Sequence, residues 1–412
     1  MAVWEFNRGE WTEAYVFLRL LGDGRIYGAS ADLVKDEQTY IDIINVIRDE
    51  PEKYLIFERF IRDEIAYVQS YRGNEKLKII TAPELTEKAT FLYSQIKEVT
   101  TGNRKISVPE IQEYMEELSI DSPKANLSEN AKNKYGAKTD IIVTTEDSFD
   151  HVRTVGGFSI KSHIGSSPTL FNSSSTSGFV YRIVGCNVDG MHRLNYKDSF
   201  LDIIQAIKDE YSLDYVGCRN EIFEQNCRMI DWRMDEILSN AMLMNVGYEK
   251  GLNSASLVDM CKALASQNPL GVRNPQFFYE TKLKSFLFAS FAGMTASTEW
   301  NGRKKLTGGY IDVDREGEML YYRAISDDIF ENYLFKHTYV DRPDRGVCKT
   351  LAVAEAKTFV EKGSTLTDAE KNTIIFKNRV DGHKNSKKGD FGYVYQKDED
   401  FFIDINFQIR FR

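Results

Sequence analysis

Three residues on two predicted strands have the types and spacing needed to hold a divalent cation beside a phosphate. Asp140 opens the apolar run 140–145, and Ser159 and Lys161 lie in the next apolar run, 157–161. Side chains alternate across a strand, so Ser159 and Lys161 share one face. If the two strands pair, all three side chains gather at one edge of the sheet.

The chemistry of phosphodiester hydrolysis accounts for these residue types. Mg²⁺ neutralises charge on the scissile phosphate and acidifies water, and it prefers oxygen ligands. Asp140 would be the principal ligand and the main-chain carbonyl of Ile160 the second. Lys161 would hold the attacking water and help to deprotonate it. This is the layout of a D…(D/E)xK nuclease site with Ser159 in the second acidic position.

A neutral serine is a poor substitute for a carboxylate, and Glu13 can restore the missing charge. It lies in the predicted helix 9–22, whose apolar residues recur at helical spacing. Glu10, one turn earlier on the same face, is the fallback. The simpler interpretation is an ordinary solvated pair, because an aspartate before one strand and a lysine at the end of another are common. The run GFSIKS (157–162), which leads into a loop rich in Ser, Thr and Asn, favours the site.

Composition limits the class of protein. The chain has 412 residues, 42% of them apolar and 28% charged, which predicts two or three globular domains. No apolar run approaches the ~18 residues of a membrane span. The five cysteines form no CxxC pair, which argues against a disulfide scaffold or zinc knuckle and favours a reducing cytosol. The net charge of −9 disfavours nucleic acid as a partner without excluding it, because binding needs only a local basic surface.

Hydrophobic patterning divides the chain into four parts. The prediction is a catalytic core from 1–30 and 135–200, an α+β elaboration at 31–134, a helical region at 201–298, and a strand-rich region at 299–412 with a charged insertion at about 343–390. Residues 119–138 are predicted to be a loop, and 197–246 a long helical stretch broken near Ser212. The five histidines are predicted to be structural or surface residues, because a lone histidine carries little specificity.

Several stretches together resemble the HpaII-type restriction endonucleases, which cut duplex DNA at short palindromes. They keep their order over nearly the whole length and lie at 7–15, 138–141, 157–165, 167–172, 178–181, 300–302, 306–310, 330–334 and 406–411. The resemblance implies an α/β fold with a PD-(D/E)xK nuclease core, a mixed central sheet flanked by helices, and further α+β elaborations. It also implies Mg²⁺-dependent cleavage that leaves 5′-phosphate ends, with CCGG as the leading guess for the site. Asp140 and Lys161 would form the catalytic core and Glu13 would be the helix-borne acid.

The same resemblance implies double-stranded DNA as substrate, a paired DNA methyltransferase and a prokaryotic cytoplasmic location. The loop after the catalytic strand is predicted to contact phosphates, and three arginines are candidates for reading guanine. The residues predicted to contact DNA are Ser162, Ser166, Ser167, Thr169, Asn172, Arg303, Arg342 and Arg345. The insertion at 343–390 is either extra DNA-binding surface or a surface addition. A palindromic site suits a homodimer, although a monomer that nicks twice would also serve.

Two other functions remain open at this point. Ser159 would suit a sequence-specific DNA-binding protein on a decayed nuclease site. A repair nuclease with the same core would cut according to DNA structure and not according to sequence.

Overall fold

The computed structural model describes residues 3–99, 105–164, 167–172, 174–197, 199–247, 256–303, 307–323, 328–341 and 391–412. The predicted insertion at 343–390, Ser166, Arg342 and Arg345 lie outside these ranges. The described residues form a mixed α/β fold, which confirms the predicted class. None of the described helices is long and apolar enough to cross a membrane.

Eleven helices lie within the described ranges. They are α1 (Arg8–Asp23), α2 (Ala82–Glu98), α3 (Pro109–Glu117), α4 (Glu129–Tyr135), α5 (Val188–Asn195), α6 (Phe200–Glu210), α7 (Glu221–Ile230), α8 (Met234–Asn245), α9 (Leu257–Gln267), α10 (Pro275–Phe291) and α11 (Asp328–His337).

Sixteen strands accompany them in the same ranges. They are β1 (Arg25–Ala29), β2 (Lys35–Glu50), β3 (Lys53–Arg62), β4 (Ile65–Arg72), β5 (Glu75–Thr81), β6 (Ile141–Asp147), β7 (Arg153–Ser162), β8 (Thr169–Phe171), β9 (Gly178–Val184), β10 (Ser212–Cys218), β11 (Gly309–Val313), β12 (Met319–Arg323), β13 (Thr338–Val340), β14 (Val394–Lys397), β15 (Asp400–Asn406) and β16 (Ile409–Phe411).

The chain forms two compact units. Unit 1 comprises residues 1–168 and 304–333, and unit 2 comprises 169–303 and 334–412. Unit 1 contains the nine-stranded mixed sheet β1-β12-β11-β7-β6-β2-β3-β4-β5. The long strand β2 also pairs with β1, so six of the strands close into a ring. The predicted four-part division stays a prediction, and the segment 31–134 supplies four strands to the same sheet as β6 and β7.

Helix α1 forms where the sequence predicted it, and its apolar residues enter the core of unit 1. Asn7 caps the helix together with Glu10, and Gly24 ends it with φ of 72°, a conformation that glycine adopts without strain. Trp11, Tyr15 and Leu18 are at most 1% exposed. They belong to one cluster with apolar residues of α2, β7 and β11. This packing holds α1 against the sheet.

Unit 2 has two smaller sheets, of order β10-β9-β15-β14 and β13-β16-β8. Its core includes a cluster of aromatic rings from several elements, in which the ring of Phe407 lies within 6 Å of the rings of Phe171 and Phe179. The predicted helical stretch 197–246 is wrong at its middle, where Ser212–Cys218 forms strand β10 against β9. The predicted loop 119–138 contains the short helix α4, which begins after the N-cap Ser128.

Candidate active site

Strands β6 and β7 form an antiparallel hairpin that brings the predicted residues together. Ile141 lies opposite Phe158, and the main-chain N–H of Asp140 donates to the carbonyl of Phe158 over 2.9 Å. Asp140, which immediately precedes β6, therefore lies opposite Ser159. Because side chains alternate, Asp140, Ser159 and Lys161 lie on the same face of the sheet. The predicted convergence of Asp140, Ser159 and Lys161 is present in the structure.

Hydrogen bonds link these side chains directly. The Oδ2 atom of Asp140 accepts from the main-chain N–H of Ile160 over 2.7 Å and from the hydroxyl of Ser159 over 3.1 Å. The ammonium of Lys161 donates to the Ser159 hydroxyl and to the Ile160 carbonyl, both over 3.2 Å. Ser159 is only 3% exposed, so its hydroxyl is a buried bridge between the acid and the lysine.

Glu13 approaches this group from α1. The hydroxyls of Thr12 and Ser162 lie 3.1 Å apart, which places the second turn of α1 beside the end of β7. Glu13 is half-buried. Burial and then the negative charge of Asp140 hold the pKa of Glu13 well above its usual range, although the charges of Lys124, Lys161 and Arg48 oppose the shift. Glu13 and Asp140 are thus neighbouring carboxyl groups, of which Glu13 is desolvated. A cation bound beside them would favour the ionised form of both groups.

The fallback residue, Glu10, has a different role. Its Oε2 atom accepts from the main-chain N–H of Asn7 over 3.0 Å, and its Oε1 atom accepts from the ammonium of Lys124 over 2.6 Å. Glu10 therefore caps α1 and pairs with Lys124.

Basic residues that the sequence analysis missed lie around the acids. Arg48 is 3% exposed, and its guanidinium donates to Glu50 and to the carbonyls of Ser122 and Lys124. It fixes the segment that carries Lys124. Lys138 lies on the segment that precedes β6. Desolvation and repulsion by Lys161 lower its pKa. These residues have no local pattern in the sequence, because their segments meet only in the fold.

Strand β11 runs parallel to β7 on its other side and adds a second polar group. Tyr310 pairs with Ser159, and Asp312 pairs with Lys161. Asp312 is 2% exposed, and its Oδ1 atom lies 3.1 Å from Nε2 of His163. The sequence alone predicts that His163 is a structural or surface residue, and no motif in it marks Asp312. About 150 residues separate these two positions, so sequence spacing alone could not bring them together.

The residues predicted to contact DNA are placed as follows. Ser162 shares a hydrogen bond with Thr12, and Ser167 is half-buried. Within unit 2, Thr169 lies in β8 opposite Arg410, and Asn172 and Arg303 are exposed. Whether any of them touches DNA stays a prediction.

Another group of potential metal ligands lies in unit 2. Among the described residues, ligand atoms of Cys218, Glu224 and Asp235 lie within 4.8 Å of one another. The guanidinium of Arg228 lies 2.7 Å from Glu224 and 3.4 Å from Asp235. Because a cationic side chain already pairs with both acids, this group differs from the one around Asp140.

Comparison with known proteins decides the family. The model of the HpaII restriction endonuclease family matches residues 7–347, which include Glu13, Asp140 and Lys161. The chain belongs to the HpaII restriction endonuclease family. Members of this family are site-specific deoxyribonucleases. The chain is also similar to the type II restriction enzyme HpaII of Haemophilus parainfluenzae, with 29% identity over 414 residues and 98% of each chain covered. No solved structure matches significantly.

Proposed function

We propose that the protein is a type II restriction endonuclease of the PD-(D/E)xK kind that hydrolyses duplex DNA with Mg²⁺ at a short palindrome, CCGG being the leading candidate, and leaves 5′-phosphate ends. One observation carries the proposal. The side chains of Asp140, Ser159 and Lys161, which share one face of the sheet, form a continuous hydrogen-bonded group with the main chain of Ile160, and the charge of Asp140 acts on Glu13.

The donor atoms suit a hard divalent cation. Asp140, the main-chain carbonyl of Ile160 and Glu13 would hold Mg²⁺, because all three offer oxygen and this ion is commonly bound by one or two carboxylates. The raised pKa of Glu13 supports this assignment, since a cation between the two acids would remove their repulsion. When bound, the ion would neutralise charge on the phosphate and lower the pKa of water.

Lys161 is the proposed group that holds the attacking water and helps to deprotonate it. Its ammonium already lies beside the Ile160 carbonyl, one of the proposed ligand atoms. A positioned side chain that accepts or relays a proton commonly contributes about 10²–10⁴-fold to a rate.

Ser159 is proposed to orient its neighbours. In the D…(D/E)xK pattern the position of Ser159 carries an acid. Here the hydroxyl of Ser159 donates to Asp140 and accepts from Lys161. It thereby fixes the separation of the acid and the lysine, and Glu13 supplies the second negative charge.

The remaining parts of the proposal concern partners. Ser162, Ser166, Ser167, Thr169 and Asn172 are proposed to contact phosphates, and Arg303, Arg342 and Arg345 to reach bases. The enzyme would act in the cytoplasm beside a DNA methyltransferase that protects host sites, and a palindromic site suits a homodimer.

Digestion of one plasmid of known sequence tests the function. The purified protein is incubated with Mg²⁺ or with EDTA, and the fragment ends are sequenced. Cuts at one palindrome with 5′-phosphates, only with Mg²⁺, are expected. An intact plasmid under every condition would favour the decayed site, and cuts without a common sequence would favour the structure-specific nuclease.

A further inference from the structure

The face of the sheet that carries Ser159 and Lys161 continues to His163. The main-chain N–H of His163 donates to the carbonyl of Val313 over 2.8 Å, so the backbone still follows β11 at this residue. The side chains of residues 159, 161 and 163 therefore point to the same face. At ~3.3 Å per residue, His163 follows Lys161 about 7 Å further along the strand.

Asp312 holds the ring of His163 from the neighbouring strand. Its Oδ1 atom accepts from the hydroxyls of Tyr310 over 2.7 Å and Tyr333 over 2.8 Å, and it lies 3.1 Å from Nε2 of His163. Burial, and then the charge of Asp312, raise the pKa of both tyrosines well above the usual value, so their hydroxyls remain donors. A buried carboxylate is costly to place in a fold unless it is fully hydrogen-bonded.

Only one of these four side chains reaches the surface appreciably. The side chain of His163 is 15% exposed, against 3% for Asp312, and Tyr310 and Tyr333 are fully buried. A carboxylate bonded to one ring nitrogen sets the orientation of an imidazole, as it does for histidines in metal and catalytic sites. The network therefore fixes a ring at the surface on the same face as Lys161.

We propose that His163 is a further active-site residue, which hydrogen-bonds an oxygen of a DNA phosphate next to the scissile one, and that Asp312 is its positioning residue. The inference rests on the proposed nuclease function. Lys161 turns towards Ser159 and Ile160, so His163 is the next polar side chain on this face.

A cycle between protein and DNA variants tests the contact. Single-turnover cleavage is measured with Mg²⁺ on a short duplex that carries the site mapped for the wild type, and on duplexes in which one phosphate flanking the scissile one is a neutral methylphosphonate. His163→Ala should slow cleavage of the unmodified duplex by about tenfold or more, the usual effect of losing a hydrogen bond to a charged group. At the contacted position, the methylphosphonate should slow the wild type and leave His163→Ala unchanged, because both changes remove the same contact.

Two further variants separate the contact from a structural role. His163→Gln keeps a donor and should recover part of the rate. Asp312→Asn should lose less of the cleavage rate than His163→Ala. Like His163→Ala, it should be less sensitive than the wild type to the methylphosphonate at the contacted position. His151→Asn is the matched control, because His151 is 77% exposed on the β6–β7 turn with φ of 55°, which asparagine tolerates. Its rate should equal the wild-type rate.

The inference fails if His163→Ala and His163→Gln both cut at the wild-type rate. It also fails if the fold reductions in rate caused by His163→Ala and by the methylphosphonate multiply at every flanking phosphate. Such independence would mean that the two changes do not remove a shared contact. A wild-type protein that cuts no duplex would instead overturn the proposed function, and this inference with it.

Discussion

The main-chain N–H of Ile160 donates to the Oδ2 atom of Asp140 over 2.7 Å, so the backbone of β7 orients the acid at the start of β6. One end of the catalytic group is therefore set by the hairpin and not by side-chain rotamers alone. The carbonyl of the same residue accepts from Lys161. The N–H and the carbonyl of Ile160 therefore hold the acid and the lysine, respectively, on either side of one residue.

Replacing this acid should abolish cleavage and spare binding. Asp140→Asn keeps the shape of the side chain but removes the charge proposed to bind Mg²⁺. The cleavage rate should fall by more than ~100-fold, since loss of even an outer partner of a metal ligand commonly costs 10–100-fold. Single-turnover cleavage with Mg²⁺ and DNA binding with Ca²⁺ measure the two effects.

The control for this change is Asp63→Asn. Asp63 lies on the β3–β4 turn with its side chain 87% exposed and φ of 52°, so asparagine fits there. Wild-type cleavage by Asp140→Asn would contradict its proposed role.

Ser159→Ala should reduce the rate without removing the metal requirement. The change deletes the buried hydroxyl that joins Asp140 and Lys161, while both keep their bonds to the backbone of Ile160. We expect a loss of about 10–100-fold, the usual cost of removing such a support. Rates measured over a range of Mg²⁺ concentrations, with Ser94→Ala on α2 as control, test this. Equal rates for the wild type and Ser159→Ala would show that the bridge is dispensable.

The local parts of the site were predictable because their causes are local. Asp140 and Lys161 lie on two strands joined by a short hairpin, and alternation along β7 determines which side chains share a face. Helix α1 has the apolar spacing of a buried helix, and Glu13 follows from its position in that helix. In each case a few consecutive residues carry the information.

The rest depends on contacts between distant segments. The parallel pairing of β11 with β7 places Asp312 beside Lys161, and no periodicity in either strand specifies this partner. Strand β10 follows α6 directly, and the apolar pattern of α6 continues through β10 into α7. From the sequence alone, the three elements therefore resemble one interrupted helix. Helix α4 has only two buried residues, Ala131 and Tyr135, too few for a clear helical period.

Lys161→Ala should slow the chemical step and leave binding nearly unchanged. Loss of a group that handles the proton of the attacking water should cost about 10²–10⁴-fold. Lys161→Arg should also be slow, because a guanidinium holds its proton and has a different geometry. Cleavage in Mg²⁺ and equilibrium binding in Ca²⁺ are compared with Lys76→Ala, an exposed lysine on the edge strand β5. A large loss of binding with a normal rate at saturation would assign Lys161 to DNA binding instead.

Glu13→Gln should stabilise the metal-free protein while it impairs cleavage. Burial and the charge of Asp140 raise the pKa of Glu13 in the folded state above that of the unfolded chain. The resulting stability is complete at low pH and is lost as the pH rises through the folded-state pKa, because the folded protein must then hold an ionised Glu13. Glutamine avoids this cost. The variant should therefore have the same melting temperature as the wild type at low pH and a higher one at high pH, by about 2–4 °C for each kcal/mol of this cost.

Thermal melts from pH 5 to 9, in EDTA and in Mg²⁺, measure this difference. Mg²⁺ should raise the melting temperature of the wild type more than that of Glu13→Gln, because a ligand stabilises the state that binds it and the variant lacks one carboxylate. The advantage of the variant should therefore shrink or reverse when Mg²⁺ is added. A variant that melts below the wild type at pH 9 in EDTA would mean that an ionised Glu13 is stabilised by its basic neighbours, and its role as a metal-binding acid would lose its electrostatic support.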